Sequence, residues 1–134
     1  MSKVLRINMT DRTYRFEDST DPNLGGRWLT SSVVAAEVPP TAHPLGPSNK
    51  VVFAPGIVTG TTAPTSSRVS VGGKSPLTGG IKEANAGTSW ATDLASLQIQ
   101  ALVIEGQPVE KDKYWGAYLA WDAAAKTPKL DFFD

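Results

Sequence analysis

Apolar side chains in this 134-residue sequence recur at every second position more often than at helical spacing, and that period decides what the chain can fold into. Over residues 3–9, Val4, Arg6 and Asn8 alternate with Leu5, Ile7 and Met9, as in a half-buried strand. Residues 13–17 repeat the pattern, and the polar Thr10-Asp11-Arg12 between them is of hairpin length, so the chain is expected to open with an antiparallel hairpin. Residues 50–54 and 101–105 are short, largely apolar runs suited to buried strands, stopped by Pro55-Gly56 and by Gly106. Arg68-Val69-Ser70-Val71 alternates too, which sets Arg68 at the mouth of a strand. Residues 114–121 alternate large and small side chains, and Lys126-Thr127-Pro128-Lys129 reads as a turn into a last strand over residues 130–133.

Helical patterning is confined to two places. Leu24-Gly25-Gly26-Arg27-Trp28-Leu29 leads into a short helix over residues 30–37, capped by Thr30 or Ser31 and ended by Pro39-Pro40. A second is predicted over residues 89–98, capped by Thr88 or Ser89, with Leu94 and Leu97 facing inward. The expected class is therefore mainly β (α+β), antiparallel sheets with one or two short helices. No repeat and no linker divides the chain, so residues 1–134 read as a single domain.

Charge and cysteine content remove several functions. Thirteen basic and thirteen acidic residues cancel and no stretch gathers five like charges, so neither nucleic acid nor an anionic membrane is indicated as a partner. Without cysteine the chain alone can build no disulfide, thiolate nucleophile, zinc–thiolate site or iron–sulfur centre. The opening Met-Ser-Lys-Val-Leu-Arg lacks the apolar core of a signal peptide, and no run approaches the roughly 18 apolar residues of a spanning helix, so a cytoplasmic location is expected. The single histidine, His43, stands between Ala42 and Pro44 without partners for a triad or a metal site. Glycine pairs at 25–26, 72–73 and 79–80 match neither the phosphate loop nor Gly-x-Gly-x-x-Gly.

What remains is the stretch from Pro55 to Gly87, with seven of the twelve glycines and three of the ten prolines, punctuated by Val69, Val71 and Ile81. Long polar segments interleaved with strands tend to carry function. Small residues admit a ligand close to the backbone, whose amides can bind a phosphate or a polar heterocycle. Arg68 and Lys74 would add fixed positive charge, the guanidinium in a bidentate grip. The same composition also describes plain Gly-Ser-Thr loops beneath exposed cations, and the residues by themselves leave both readings open.

The order Asn49-Lys50-Val51-Val52-Phe53-Ala54-Pro55-Gly56, then Thr59-Gly60-Thr61-Thr62-Ala63-Pro64-Thr65 and Arg68, resembles the aldehyde ferredoxin oxidoreductase family. Lys74-Ser75-Pro76-Leu77-Thr78-Gly79 and Val103-Ile104-Glu105-Gly106 extend the likeness, which runs from the opening hairpin to about Tyr114. The resemblance implies the first, mainly β domain of an enzyme that oxidises aldehydes to carboxylic acids and passes electrons to ferredoxin. It further implies a tungstopterin or molybdopterin pair (bis-pterin W/Mo), Mg2+ bridging the pterin phosphates, and a 4Fe-4S cluster. Position by position, Arg68 matches the arginine that contacts pterin, Asn85 the asparagine at the phosphate and magnesium end, and Gly87 the glycine near it. Ala86 and Lys74 lie in matching motifs and take weaker cofactor-binding roles. No catalytic residue is implied.

Two segments depart from the family's pattern. Gly87-Thr88-Ser89-Trp90-Ala91 replaces a glycine-aromatic-glycine run, and Gln98-Ile99-Gln100 replaces an aromatic residue and Asp ahead of the Val-Ile-Glu-Gly strand. The resemblance also implies that the chain stops within the family's first domain, so the cluster would come from the remaining oxidoreductase domains or a cysteine-bearing partner subunit. Three readings follow: part of a split or fragmentary oxidoreductase that is inactive alone, a non-catalytic β-scaffold or assembly subunit, and a stand-alone module for phosphate-bearing ligands.

Overall fold

In a computed structural model, which describes residues 2–134, the chain forms eight strands and two helices. They are β1 (Lys3–Asn8), β2 (Thr13–Asp18), α1 (Gly26–Glu37), β3 (Lys50–Pro55), β4 (Arg68–Lys74), β5 (Ile81–Gly87), α2 (Ser89–Ser96), β6 (Ile99–Glu105), β7 (Gly116–Asp122) and β8 (Thr127–Phe133). Six strands make one sheet in the order β2-β1-β6-β3-β4-β5, and β7 and β8 pair as a separate hairpin. The expected class holds, with one addition: β1 and β6 run parallel while the other pairs are antiparallel. A parallel neighbour needs a long crossover, and β1 is joined to β6 only after six intervening elements.

Period-two alternation gives the sheet two apolar faces. On one, Val52, Ala54, Ala101 and Val103 pack beneath Leu29 and Val34 of α1. On the other, Leu5, Ile7 and Leu102 meet Leu94 of α2 and Leu130 of the β7–β8 hairpin. Leu5, Val52 and Val103 are fully buried; each contributes about 1.5–3 kcal/mol by leaving water.

The N-cap of α1 lies five residues before Thr30 and six before Ser31, the two caps predicted. Gly25, extended, is the N-cap without a side-chain bond, and Gly26 enters the helix at φ +54°. The close approach to β3 requires glycine: a Cβ on Gly25 would lie 2.9 Å from the Ile57 side chain and 3.2 Å from the Pro55 carbonyl oxygen. Thr30, predicted as a cap, is instead wholly buried against β4. Gly72 makes that possible, since a Cβ there would fall 2.9 Å from Thr30 Cβ. The helix ends at Glu37, ahead of Pro39-Pro40 as predicted. Helix α2 is capped as one alternative had it, with Thr88 Oγ1 accepting from Trp90 N at 3.2 Å.

Two further corrections concern turns. The turn predicted at residues 126–129 lies earlier, because Asp122 Oδ1 accepts from Ala124 N (2.9 Å) and Ala125 N (3.0 Å) and closes the chain there. Thr127, Pro128 and Lys129 belong to β8, where proline is tolerated on a strand with a free edge. Residues 81–87, the end of the polar Pro55–Gly87 stretch, form the edge strand β5, in register with β4 from Arg68↔Gly87 to Lys74↔Ile81.

The C-terminal end of α1 is tied to the sheet by charge. Arg6 bonds Glu17 (2.7 Å) and Glu37 (2.6 Å), Lys50 bonds Glu37 (2.7 Å) and Glu105 (2.8 Å), and Arg15 reaches Glu105 at 3.4 Å. Three cations and three carboxylates balance, all but Arg15 and Glu17 well shielded from water. The hydrogen bond from Arg6, with help from Lys50, holds the Glu37 carboxyl down at about 2 against the opposing effect of burial.

Candidate cofactor site

The α1-facing side of the β4–β5 edge gathers most of the residues singled out in the sequence. Antiparallel pairing puts Arg68 opposite Gly87 and Ser70 opposite Asn85. Side chains at alternate positions share a face, so Arg68, Ser70, Glu83, Asn85 and Gly87 all project to the α1 side. Arg68 Nε donates to Asn85 Oδ1 at 2.6 Å, diagonally across the ladder. Among the described residues Arg68 enters no ion pair, and its side chain is exposed, so the outer guanidinium nitrogens face solvent. Beside them a Cβ at Gly87 would stand 3.7 Å from Arg68 Nη1; glycine there leaves the guanidinium uncovered.

Under this pair runs a polar row that sequence reading missed. Glu83 Oε1 accepts from Ser70 Oγ (2.7 Å) and Asn85 Nδ2 (3.3 Å), and Oε2 accepts from Arg27 Nε at 3.1 Å. Thr30 Oγ1 lies 3.0 Å from Ser70 Oγ and 3.1 Å from the Arg27 carbonyl oxygen. Ser70 spends its one proton on Glu83, so Thr30 is the donor to Ser70 whenever that contact is made. The Ser70 hydroxyl holds the Glu83 carboxyl below the usual glutamate range, assisted by Asn85 and Arg27. Glu83, Asn85 and Gly87 alternate in the sequence, and that period was the available signal; Arg27 and Thr30 come from a distant element and carried none.

The N-terminal end of α2 is fastened beside this edge. Thr88 N donates to the Ser67 carbonyl at 3.1 Å, Ser67 Oγ bonds the Thr88 carbonyl, and Thr92 Oγ1 donates to Ser67 Oγ at 2.7 Å. Arg68 and Gly87 therefore sit on a braced corner rather than a free loop. Trp90, from the departing segment, turns away from that corner to meet Phe53 edge-on at 5.2 Å between ring centres.

Two predicted site residues lie apart from the cluster. Ala86, opposite Val69, projects to the other face of β5 and can offer only backbone to a ligand on the Arg68 side. Lys74 ends β4 six residues from Arg68, about 20 Å away along the strand. Its Nζ bonds the Pro40 carbonyl, and its backbone exchanges bonds with the Asn49 side chain at 2.9 and 3.0 Å. The structure does not bring the two cations together.

This arrangement can hold an anion. It has a free guanidinium, an open glycine, and the unpaired outer edge of β5. Among the described residues no three His, Cys, Asp or Glu side chains gather to hold a metal ion. Any ion here would rely on backbone or amide oxygen.

Residues 4–115 match the family described as aldehyde ferredoxin oxidoreductase, N-terminal domain. The chain belongs to that family. Tungsten-containing aldehyde ferredoxin oxidoreductases from Pyrococcus abyssi, Thermococcus kodakarensis and Pyrococcus furiosus are 38%, 39% and 38% identical to it over 110, 116 and 117 residues. Those stretches cover 78%, 84% and 84% of this chain but 18%, 19% and 19% of the relatives, so the chain spans about a fifth of their length. Among solved structures it is similar to a chain of the active site complex BamBC of benzoyl coenzyme A reductase in complex with 1,5-dienoyl-CoA. The TM-score is 0.82 and the identity 26%, covering 99% of this chain and 20% of that one. The mainly β fold with two short helices is thus that of the aldehyde ferredoxin oxidoreductase N-terminal domain, and the chain is part of an oxidoreductase family. No helix among the described residues is long and apolar enough to cross a membrane.

Proposed function

We propose that this chain supplies the floor of a pterin-cofactor site in a larger aldehyde ferredoxin oxidoreductase-type enzyme. That enzyme would oxidise an aldehyde to a carboxylic acid and pass the electrons to ferredoxin. The observation that carries the reading is the Arg68–Asn85 pair: a guanidinium oriented through Nε, its outer nitrogens free, beside a glycine that leaves them open. In this reading Arg68 grips the pterin end of the ligand. Asn85 serves its phosphate and magnesium end, Gly87 permits close approach, and Ala86 contributes backbone. Lys74 is left to its structural bonds. When bound, the tungsten or molybdenum ion held by the pterins supplies the redox chemistry, and the chain's own residues bind and orient.

With no cysteine, the chain leaves the 4Fe-4S cluster to the remaining domains or to a cysteine-bearing partner subunit. Its surface supports such company. Between the sheet and the β7–β8 hairpin lies an open, largely apolar cavity of about 700 Å³ walled by Phe53, Trp90, Leu102, Trp115 and Leu119. Tyr114, the residue before Trp115 of that wall, is 95% exposed. The β7–β8 hairpin meets the sheet through Leu130, Leu119 and Phe132, and further polypeptide would fill the open space beside them. On this reading the isolated chain is not catalytic, and the assembly is cytoplasmic. Replacing Arg68 by Ala in the assembled complex should lower pterin per protein about tenfold, the loss of a charge-assisted contact of roughly 1.4 kcal/mol; unchanged pterin content would remove the assignment.

A further inference from the structure

Arg68 is useful to an anion only if its Nε stays engaged and its outer nitrogens stay free, and the side chain that engages it, Asn85, can flip. An unrestrained amide presents oxygen or nitrogen with little preference. If Nδ2 turned toward Arg68, two donors would meet and the guanidinium would swing away. Arg68 itself favours the oxygen, and the Glu83 carboxylate adds to that preference from the other side of the amide. Accepting from Asn85 Nδ2 at 3.3 Å, it draws the nitrogen side of the amide to itself and leaves Oδ1 for Arg68 Nε at 2.6 Å. Glu83 is itself immobilised from two sides, by Ser70 Oγ at 2.7 Å and Arg27 Nε at 3.1 Å, and its side chain is only 11% exposed. Arg27 belongs to α1 and Ser70 to β4, so the orientation of Asn85 is anchored to both the helix and the inner strand.

We propose that Glu83 is a positioning residue of the cofactor site: its carboxylate fixes the Asn85 amide and, through it, holds the Arg68 guanidinium with its outer nitrogens toward the ligand. The inference rests on the reading of this edge as a pterin-phosphate floor. A carboxylate beside an anion site should weaken anion binding by repulsion, so on Coulombic grounds its removal strengthens binding. If Glu83 acts by positioning, its removal weakens binding.

The test uses the full chain with inorganic pyrophosphate as probe. Arg68 side-chain order is read from the NMR relaxation of its Nε–Hε group. Glu83→Ala removes the acceptor; Glu83→Met also removes it while filling similar volume, and carries the test if the Ala variant does not fold. Glu83→Gln retains an acceptor oxygen. Both acceptor-less variants should mobilise the Arg68 guanidinium and weaken pyrophosphate binding at least about threefold. Glu83→Gln should restore order, and affinity to within about twofold. Tighter pyrophosphate binding with unchanged Arg68 order in the Ala or Met variant would overturn the proposal, as would Arg68 mobility in Glu83→Gln equal to that in Glu83→Met. If Arg68 loses order in the acceptor-less variants but no form of the chain binds pyrophosphate, the positioning role stands and the pterin-phosphate reading fails.

Discussion

Arg68 Nε reaches past its own ladder partner, Gly87, to bond Asn85 Oδ1 at 2.6 Å. The diagonal matters because it uses the one guanidinium nitrogen nearest the backbone and leaves the bidentate fork unspent. A direct partner opposite Arg68 would have covered that fork; the residue there is glycine.

Asn85→Asp tests whether the guanidinium must stay free. Aspartate still accepts from Nε but neutralises Arg68 and sets a second carboxylate beside Glu83. We expect pterin content of the assembled complex to fall about tenfold or more, since an ion pair of this kind displaces the ligand's charge. Thermal unfolding of the chain should change little, because the site lies at the exposed edge of the sheet.

Gly87→Leu separates fold from site. Gly87 is not at positive φ, and a Cβ would make only ordinary contact, so strand β5 accepts the side chain. The chain should unfold at the same temperature or slightly higher, from about 0.4–1 kcal/mol of lost unfolded-state freedom. Cofactor content should drop, because leucine covers Arg68. A variant that folds and retains wild-type pterin would contradict the placement of the ligand over this corner.

Gly60 makes the opposite case. It sits at φ +81°, and a Cβ would fall 2.7 Å from Ala95 Cβ in α2. Gly60→Ala should destabilise the chain by about 2–4 kcal/mol, from left-handed strain plus overpacking, read as a lower urea midpoint.

Acid should loosen the α1 anchor. In the folded chain the Glu37 carboxyl titrates at about 2, against 4.5 ordinarily, chiefly through the Arg6 hydrogen bond. A depressed carboxyl stabilises above its unfolded value, so that stability is full above about pH 4.5 and is lost as pH falls toward 2. Urea unfolding at stepped pH should show the decline in that window and none near neutrality. Arg6→Ala should remove most of that decline while costing about 3 kcal/mol at pH 7, because Glu37 and Glu105 lose a shielded partner.

Much of the scaffold was legible because it is written locally. The alternation of Leu5, Ile7 and Met9 announced β1, and Thr88 announced the start of α2. What failed locally was decided at a distance. Thr30 looks like a cap until Gly72 lets α1 settle onto β4, which buries it. Residues 81–87 look like polar loop because β5 is an edge strand covered on one side only near Glu83, and an exposed strand need not alternate in hydropathy. Arg68, Asn85 and Gly87 were found through family likeness, and the sheet register brings them together. Glu83, Arg27 and Ser70 join them only through tertiary packing. Lys74 was named for its charge and its motif, and the length of β4 sets it about 20 Å from Arg68.

The central claim is that this chain works as the pterin floor of an assembly. The chain should be isolated by affinity tag from its native host, and tungsten, molybdenum, pterin and co-purifying polypeptides measured on the same sample. The account predicts tungsten or molybdenum with pterin, together with cysteine-bearing polypeptide resembling the rest of the aldehyde ferredoxin oxidoreductase family. A stable chain free of metal, pterin and partner would contradict it.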